Sequence, residues 1–252
     1  MITQQQIEEA KEYTLKRVQA QHNSRSKVDK VLLTAALQLA RGISKDKVSK
    51  NISNQISDIT YGYAEASLSL RKYDDGEKDL KEYMEGIHYG KTFDNRNEEY
   101  SKRFVEDMTV TILACKELNY SESEINNVIH SSFKDPLKAP VIQKAIKEEQ
   151  FTFDKPTYGI GRTNVSYTAI TNNTENTIAS AFGLVNNNFY DANGSKGFYV
   201  YRGSSYPCAE CQSHVGKFHK MGDDYPPFHN HCVCYAVYGM VKRECPSLIG
   251  VG

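Results

Sequence analysis

The chain has 252 residues, enough for one large domain or two small ones. Lys plus Arg and Asp plus Glu number 31 each, so the whole chain carries no excess of basic charge of the kind a nucleic-acid partner selects. No run approaches the roughly 18 apolar residues of a membrane span, and Met1–Gln6 does not open a signal peptide, so the expectation is a soluble protein made in the cytosol, with no membrane partner.

Charge is distributed unevenly along the chain. Residues 1–72 hold 12 basic and 7 acidic side chains, residues 73–150 hold 11 and 17, and the remainder holds 8 and 7. A basic first segment followed by an acidic one suits two solvated helical faces, or a polar assembly surface.

The first 150 residues are predicted to be helical almost throughout. Thr3 and Gln6 form a capping box, followed by Ile7, Ala10, Thr14 and Val18 along one face. A second run is expected from Ser26, with Val28, Val31, Leu32, Ala35, Ala36 and Leu39 on one stripe and Gly42 as its stop. A third starts after Ser44, repeats Val48, Ile52, Ile56, Ile59 and Tyr63, and ends at the Asp74-Asp75-Gly76 turn. Further helices are placed around Leu80, Tyr83, Met84 and Ile87, around Tyr100 to Cys115, after the Ser121/Glu124 cap, and over Val141–Glu149. Each amphipathic stripe needs a partner, which makes residues 1–155 a helical bundle or arm.

Composition changes near Phe151, where Asn, Thr, Tyr and Gly replace charge, and Pro156 with Gly159-Ile160-Gly161 marks a boundary. Residues 156–252 are expected to form a small α+β module. Its helix runs from Thr163 to about Leu184, with Val165, Ala169, Ile170, Ile178, Ala179 and Phe182 on one face. Asp191-Ala192-Asn193-Gly194 is a turn, and Phe198–Tyr201 is the clearest strand. The fold class is therefore mostly α, with a small Cys/His knot in the C-terminal module.

That strand delivers the chain to a cluster of soft-metal ligands. Four of the six cysteines and four of the seven histidines fall within residues 208–234. In a reducing cytosol such a cluster points to metal rather than disulfides. Cys208 and Cys211 form a C-x2-C pair, which lets two thiolates converge on one ion from a single turn. His229, His231, Cys232 and Cys234 supply the second half. Alternate residues of an extended segment share a side, so Cys232 and Cys234 would turn inward together. His229 is grouped with them, and His231 is expected to face away. Spacing leaves open which two of His229, Cys232 and Cys234 join Cys208 and Cys211 around a structural zinc ion. The competing reading is a set of free or oxidised thiols with surface histidines.

The ordered set Arg162-Thr163-Asn164, a helix, an aromatic strand, Cys208-x-x-Cys211, His214-Val215-Gly216-Lys217 and Pro226-Pro227-Phe228-His229-Asn230-His231-Cys232-Val233-Cys234 resembles the C-terminal half of the phage Mu F-like minor head protein family. The resemblance covers roughly residues 160–238. Asn230 stands where the family usually has proline, and Val233 where arginine is common. It implies a non-enzymatic minor capsid or head-morphogenesis protein, made in the host cytoplasm and carried in the virion. Its implied partners are the portal or the major capsid protein, with a weak contact to packaged DNA and an oligomeric setting in the particle.

Three other readings compete. Pro207-Cys208-x-x-Cys211 also fits half of a zinc-dependent nucleobase deaminase signature, with Cys115-Lys116-Glu117 as a distant C-x-E. Tyr201-Arg202-Gly203 resembles the first strand motif of ADP-ribosyltransferases, but only Glu210 and Glu244 follow it. A zinc-ribbon nucleic-acid binder would need local basic charge, whereas residues 208–234 offer Lys217 and Lys220 against Glu210, Asp223 and Asp224. Lys11, Lys16, Arg17, Arg25, Lys27 and Lys30 are the basic residues a DNA contact would use.

Overall fold

A computed structural model of the chain describes residues 2–134, 155–205 and 208–239. Seven helices and one three-stranded sheet occur among them. The expected helix Val141–Glu149 lies outside the described residues, as do Pro207 and Cys245. No helix among the described residues is long and apolar enough to cross a membrane.

Helix α1 spans Gln4–Ala40. It opens on the capping box, with the Thr3 backbone N–H donating to Gln6 Oε1 at 2.8 Å and the Gln6 N–H to Thr3 Oγ1 at 3.2 Å. It does not break at Ser26. Its buried stripe runs Ala10, Tyr13, Arg17, Ala20, Gln21, Ser24, Val28, Leu32, Ala35, Ala36 and Leu39 at helical spacing, so polar side chains carry it across the middle. Isolated Asn and Ser residues cost a helix about 0.7 kcal/mol each at most. The stop is Gly42, whose φ of 85° suits glycine, and Ile43 N–H closes back on Gln38 O at 3.0 Å.

Helix α2 covers Lys45–Leu70, and α3 covers Gly76–Glu85. The acidic turn at Asp74 and Asp75 falls between them, with Gly76 opening α3 rather than closing α2. Because α3 ends at Gly86, Ile87 leaves the predicted stripe and is 73% exposed. Helix α4 covers Phe93–Glu117 behind a Thr92 cap, and α5 covers Glu122–Lys134 behind the Ser121/Glu124 box.

Helix α6 covers Lys155–Ala192, eight residues longer at each end than the periodicity predicts. Pro156 does not mark a break, because proline is tolerated in a helix's first turn, where its missing N–H has no partner to lose. Val165 is exposed, and Thr163, Ser166 and Tyr167 take the buried positions instead. As in α1, the buried face is partly polar. The helix ends in the predicted turn, with Gly194 N–H on Asp191 O at 2.8 Å.

The described residues gather in two compact units, each built from separated segments. The first takes them from Met1–Asn23, Tyr61–Gly86 and Glu175–Gly252, and the second from Ser24–Thr60 and Ile87–Thr174. Helices α1, α2 and α6 each divide their length between the two. The α+β segment therefore shares its unit with the start of α1, the end of α2 and all of α3.

In the second unit the apolar core includes Leu32, Ile52, Ile56, Phe104, Met108, Ile129 and Ile170. Buried polar groups are paired across helices: Asn97 Nδ2 donates to Ser53 O at 2.8 Å, and Ser166 Oγ to Asp107 Oδ2 at 2.7 Å.

In the first unit Tyr13, Ala20, Ile178 and Phe182 form one helical cluster. Ala64, Leu80, Met84, Ala181 and Val185 form another. The sheet has the order β2-β1-β3, with β1 Gly197–Tyr201, β2 Phe218–Lys220 and β3 Tyr235–Tyr238, antiparallel at both joins. Its register pairs Phe198 with Tyr238 and Val200 with Ala236, whose side chains share one face with Cys211, Cys232 and Cys234. Tyr201, Tyr235 and Val237 lie on the other face against Ile2, Ile7 and Ala10 of the chain's start. Alternation along the strands thus gives the sheet two different coverings.

Phe198 is fully buried, so Phe198→Ala is expected to cost about 3–5 kcal/mol, and Val165→Ala, on an exposed site, within about 0.5 kcal/mol. Urea unfolding curves measure both.

Candidate metal centre

Two short pieces of chain bring the ligands together. Cys208 follows the strand β1 and immediately precedes α7, the single turn Ala209–Gln212. Gln212 N–H closes that turn on Cys208 O at 2.9 Å, so Cys211 comes round beneath Cys208. The chain then returns to β1, with Gly216 N–H on Val200 O at 2.9 Å. The second piece follows the cis Pro226–Pro227 bond and enters β3 directly after Cys234.

The ligand atoms form two triads with one member in common. Cys208, Cys211 and His229 have their donor atoms within 4.8 Å of one another, as do Cys211, Cys232 and Cys234. His229 Nε2 lies 3.1 Å from Cys208 Sγ and 3.0 Å from Cys211 Sγ, while Cys211 Sγ lies 3.7 Å from Cys232 Sγ. In a tetrahedral zinc site two sulfurs stand about 3.8 Å apart, and a sulfur and a nitrogen about 3.5 Å. The one sulfur–sulfur spacing matches the first value, and the nitrogen–sulfur spacings fall about 0.4–0.5 Å inside the second. None of these cysteines is in a disulfide. A soft donor set at these separations can hold a metal ion.

Strand parity does not explain how His229 arrives. The expected grouping of His229 with Cys232 and Cys234 does not follow from alternation, which pairs it with His231 on the opposite side. Instead the segment turns, with Cys232 N–H on His229 O at 3.1 Å and His231 at φ 60°. His231 is left 59% exposed, its Nδ1 3.6 Å from Glu175 Oε2, outside both triads.

The surroundings lower the pKa of two of the four thiols, raise that of the other two, and orient the imidazole. Backbone amides of Cys211 and Glu210 hydrogen-bond the Cys208 sulfur and draw its pKa down. The Cys234 thiol does the same for Cys232, which is pushed down to about 4, and Cys234 is raised in return. Burial pushes Cys211 up to about 12. His229 Nδ1 lies 2.7 Å from Asn230 O, and this contact raises its pKa. It fixes the tautomer with the proton on Nδ1, leaving Nε2 free to face the sulfurs.

Arg17 was not among the ligand candidates in the sequence, yet it reaches this loop. Its guanidinium Nη2 donates to Cys232 O at 2.7 Å and to Cys234 O at 3.3 Å. With 3% exposure it is not a surface residue for DNA, unlike Lys16 beside it. The usable signal was its position on the helical stripe between Tyr13 and Ala20.

Gly203 lets the two pieces approach. A Cβ on it would lie 1.8 Å from Val233 O. Around the cluster, Phe228 stacks on His214 at 3.9 Å, and Tyr225 and Phe228 pack against the buried cysteines. These rings are committed to the core, and Phe218 is the exposed one at 52%. Cys115 and Glu117 lie on α4 in the second unit and belong to neither triad. Burial raises the Cys115 thiol to about 11, as for a core residue. Arg202 hydrogen-bonds Gln212 Oε1.

No family model, curated protein or solved structure matches the chain.

Gly203→Ala must displace the Val233 carbonyl, and a loss of about 2–4 kcal/mol is expected in thermal or urea unfolding. Gly216→Ala, which meets open space but sits at φ 77°, is expected to cost about 1 kcal/mol.

Proposed function

We propose that the chain is a structural protein of phage head morphogenesis, whose C-terminal sheet is held by one zinc ion. The observation that carries this reading is the pair of ligand triads that share Cys211, with His229 Nε2 3.1 Å and 3.0 Å from Cys208 and Cys211 Sγ, and Cys211 Sγ 3.7 Å from Cys232 Sγ. That meeting occurs within the ordered motif that resembles the Mu F-like family, and the resemblance rests on the motif alone.

The ligand set is Cys208, Cys211, His229 and Cys232. Cys234, which lies in the triad with Cys211 and Cys232, is the fifth candidate, and in this reading it stays outside the set beside the ion. Four protein ligands leave no open position for water or substrate, so the ion's work is structural. Zinc suits three sulfurs and one imidazole, and its binding to thiols at neutral pH releases protons. The ion ties the turn after β1 to the approach to β3, two segments that otherwise share few backbone hydrogen bonds.

The partner in this reading is the portal or major capsid protein, met during assembly in the host cytoplasm and retained in the virion. Contacts with packaged DNA would fall to the exposed lysines of α1.

Elemental analysis of the purified protein is expected to find about one zinc per chain. Cys208→Ser and His229→Ala should lose it, and Cys234→Ser should keep it. Co-expression with the portal protein of the phage or prophage that carries the chain tests the function. Co-purification, and presence of the chain in assembled heads, is expected for wild type and not for Cys208→Ser. A wild-type chain absent from heads and unbound to portal and capsid proteins contradicts the reading.

A further inference from the structure

Arg17 is a cation in an unusual place. It is 3% exposed and sits on the part of α1 that belongs to the first unit. Among the described residues it has no carboxylate partner: it donates to two backbone carbonyls, and its Nε is buried without a hydrogen bond. The ionisable groups that act on its charge are Cys232, Tyr13 and Cys234. Tyr13 is a neutral phenol whose hydroxyl donates to Phe182 O at 2.9 Å.

Buried guanidinium ions are kept only where an opposite charge compensates them. Carbonyl dipoles supply hydrogen-bond acceptors but no net charge. Arg71 shows the ordinary solution in the same unit: it is equally buried, and it meets the Glu9 carboxylate at 2.8 Å. Where Arg71 has Glu9, Arg17 has the backbone of Cys232 and Cys234, two of the ligand candidates.

We infer that Arg17 is the counter-ion of a net-negative metal centre, supplied to it by the N-terminal helix. The inference rests on the zinc reading given above. A divalent ion with three thiolates and a neutral imidazole carries one net negative charge, and one guanidinium cancels it. A centre with four thiolates would carry two, and would leave one uncancelled. Held this way, Arg17 ties α1 to the metal loop through the Cys232 and Cys234 carbonyls. Arg17 is a positioning residue, since it touches the carbonyls of the loop and not the ion.

The test separates charge from hydrogen bonding. Zinc affinity is measured on the full chain by competition with a chromophoric chelator, for wild type, Arg17→Gln, Arg17→Lys and Lys16→Gln. Glutamine can still donate to a carbonyl but is neutral, whereas lysine keeps the charge. Arg17→Gln is expected to bind zinc at least about tenfold more weakly, while Arg17→Lys stays within about threefold of wild type and Lys16→Gln is unchanged. Thermal melts with zinc and with excess chelator should show Arg17→Gln narrowing the gap between loaded and stripped protein. Wild-type affinity in Arg17→Gln overturns the inference, as does equal weakening in the glutamine and lysine variants. An equal drop of both melting temperatures would also overturn it and make Arg17 a purely packing residue. If wild type itself binds no zinc, the metal reading falls and takes this inference with it; zinc binding with an indifferent Arg17 defeats the inference alone.

Discussion

A sheet of three strands with five, three and four residues cannot bury enough side chain to stand by itself, and everything in the first unit follows from what covers it. One face is covered by the start of α1. The other rests on Cys211, Cys232 and Cys234, which are almost fully buried and occupy the place where a larger domain would put leucine or phenylalanine. Thiols of that size fill a core poorly by themselves. In the proposed zinc site Cys211 and Cys232, with Cys208 and His229, would cross-link the turn after β1 to the approach to β3, which is how small domains commonly offset a limited core. Gly203, the turn at His229–Cys232 and the Cys208–Gln212 turn are the backbone conditions for that convergence.

Helix α1 adds the second element. It reaches the same loop through Arg17, the loop's flank through Gln6 Nε2 on Tyr238 O at 3.2 Å, and α6 through Gln21 Nε2 on Glu175 O at 3.1 Å. The basic character of residues 1–72 therefore has two meanings. Lys11 and Lys16 face solvent, where they favour solubility and weak anionic contacts. Arg17 and Arg71 are internal and hold the unit together. A count of charges does not distinguish the two, because it carries no information about which side of a helix each residue occupies.

Local signals in the sequence were the ones that transferred to structure. The Thr3/Gln6 and Ser121/Glu124 boxes, Gly42 as a stop and Phe198–Tyr201 as a strand depend on neighbours within five residues, and each is formed as its chemistry dictates. Helix lengths were harder to read. The middle of α1 and much of α6 bury Arg, Gln, Ser, Thr and Asn, so an apolar stripe fades where the helical one continues. Strands β2 and β3 are short and set by pairing with β1, which no local pattern displays. At the candidate site, the Cys and His spacing was enough to name the five ligand candidates. It was not enough to bring His229 round, because that depends on a turn with a positive φ at His231. Nor could it include Arg17, which lies more than two hundred residues away along the chain.

The proposed centre is an ion with three sulfurs and one nitrogen at the heart of the first unit. X-ray absorption at the zinc edge of the purified chain reads that ligand set directly. Three sulfurs at about 2.3 Å and one nitrogen at about 2.0–2.1 Å are predicted. A shell of oxygen and nitrogen only would mean an ion resting on the surface, and four sulfurs would replace His229 by Cys234 and remove the charge balance with Arg17. Either spectrum contradicts the structure of the centre set out above.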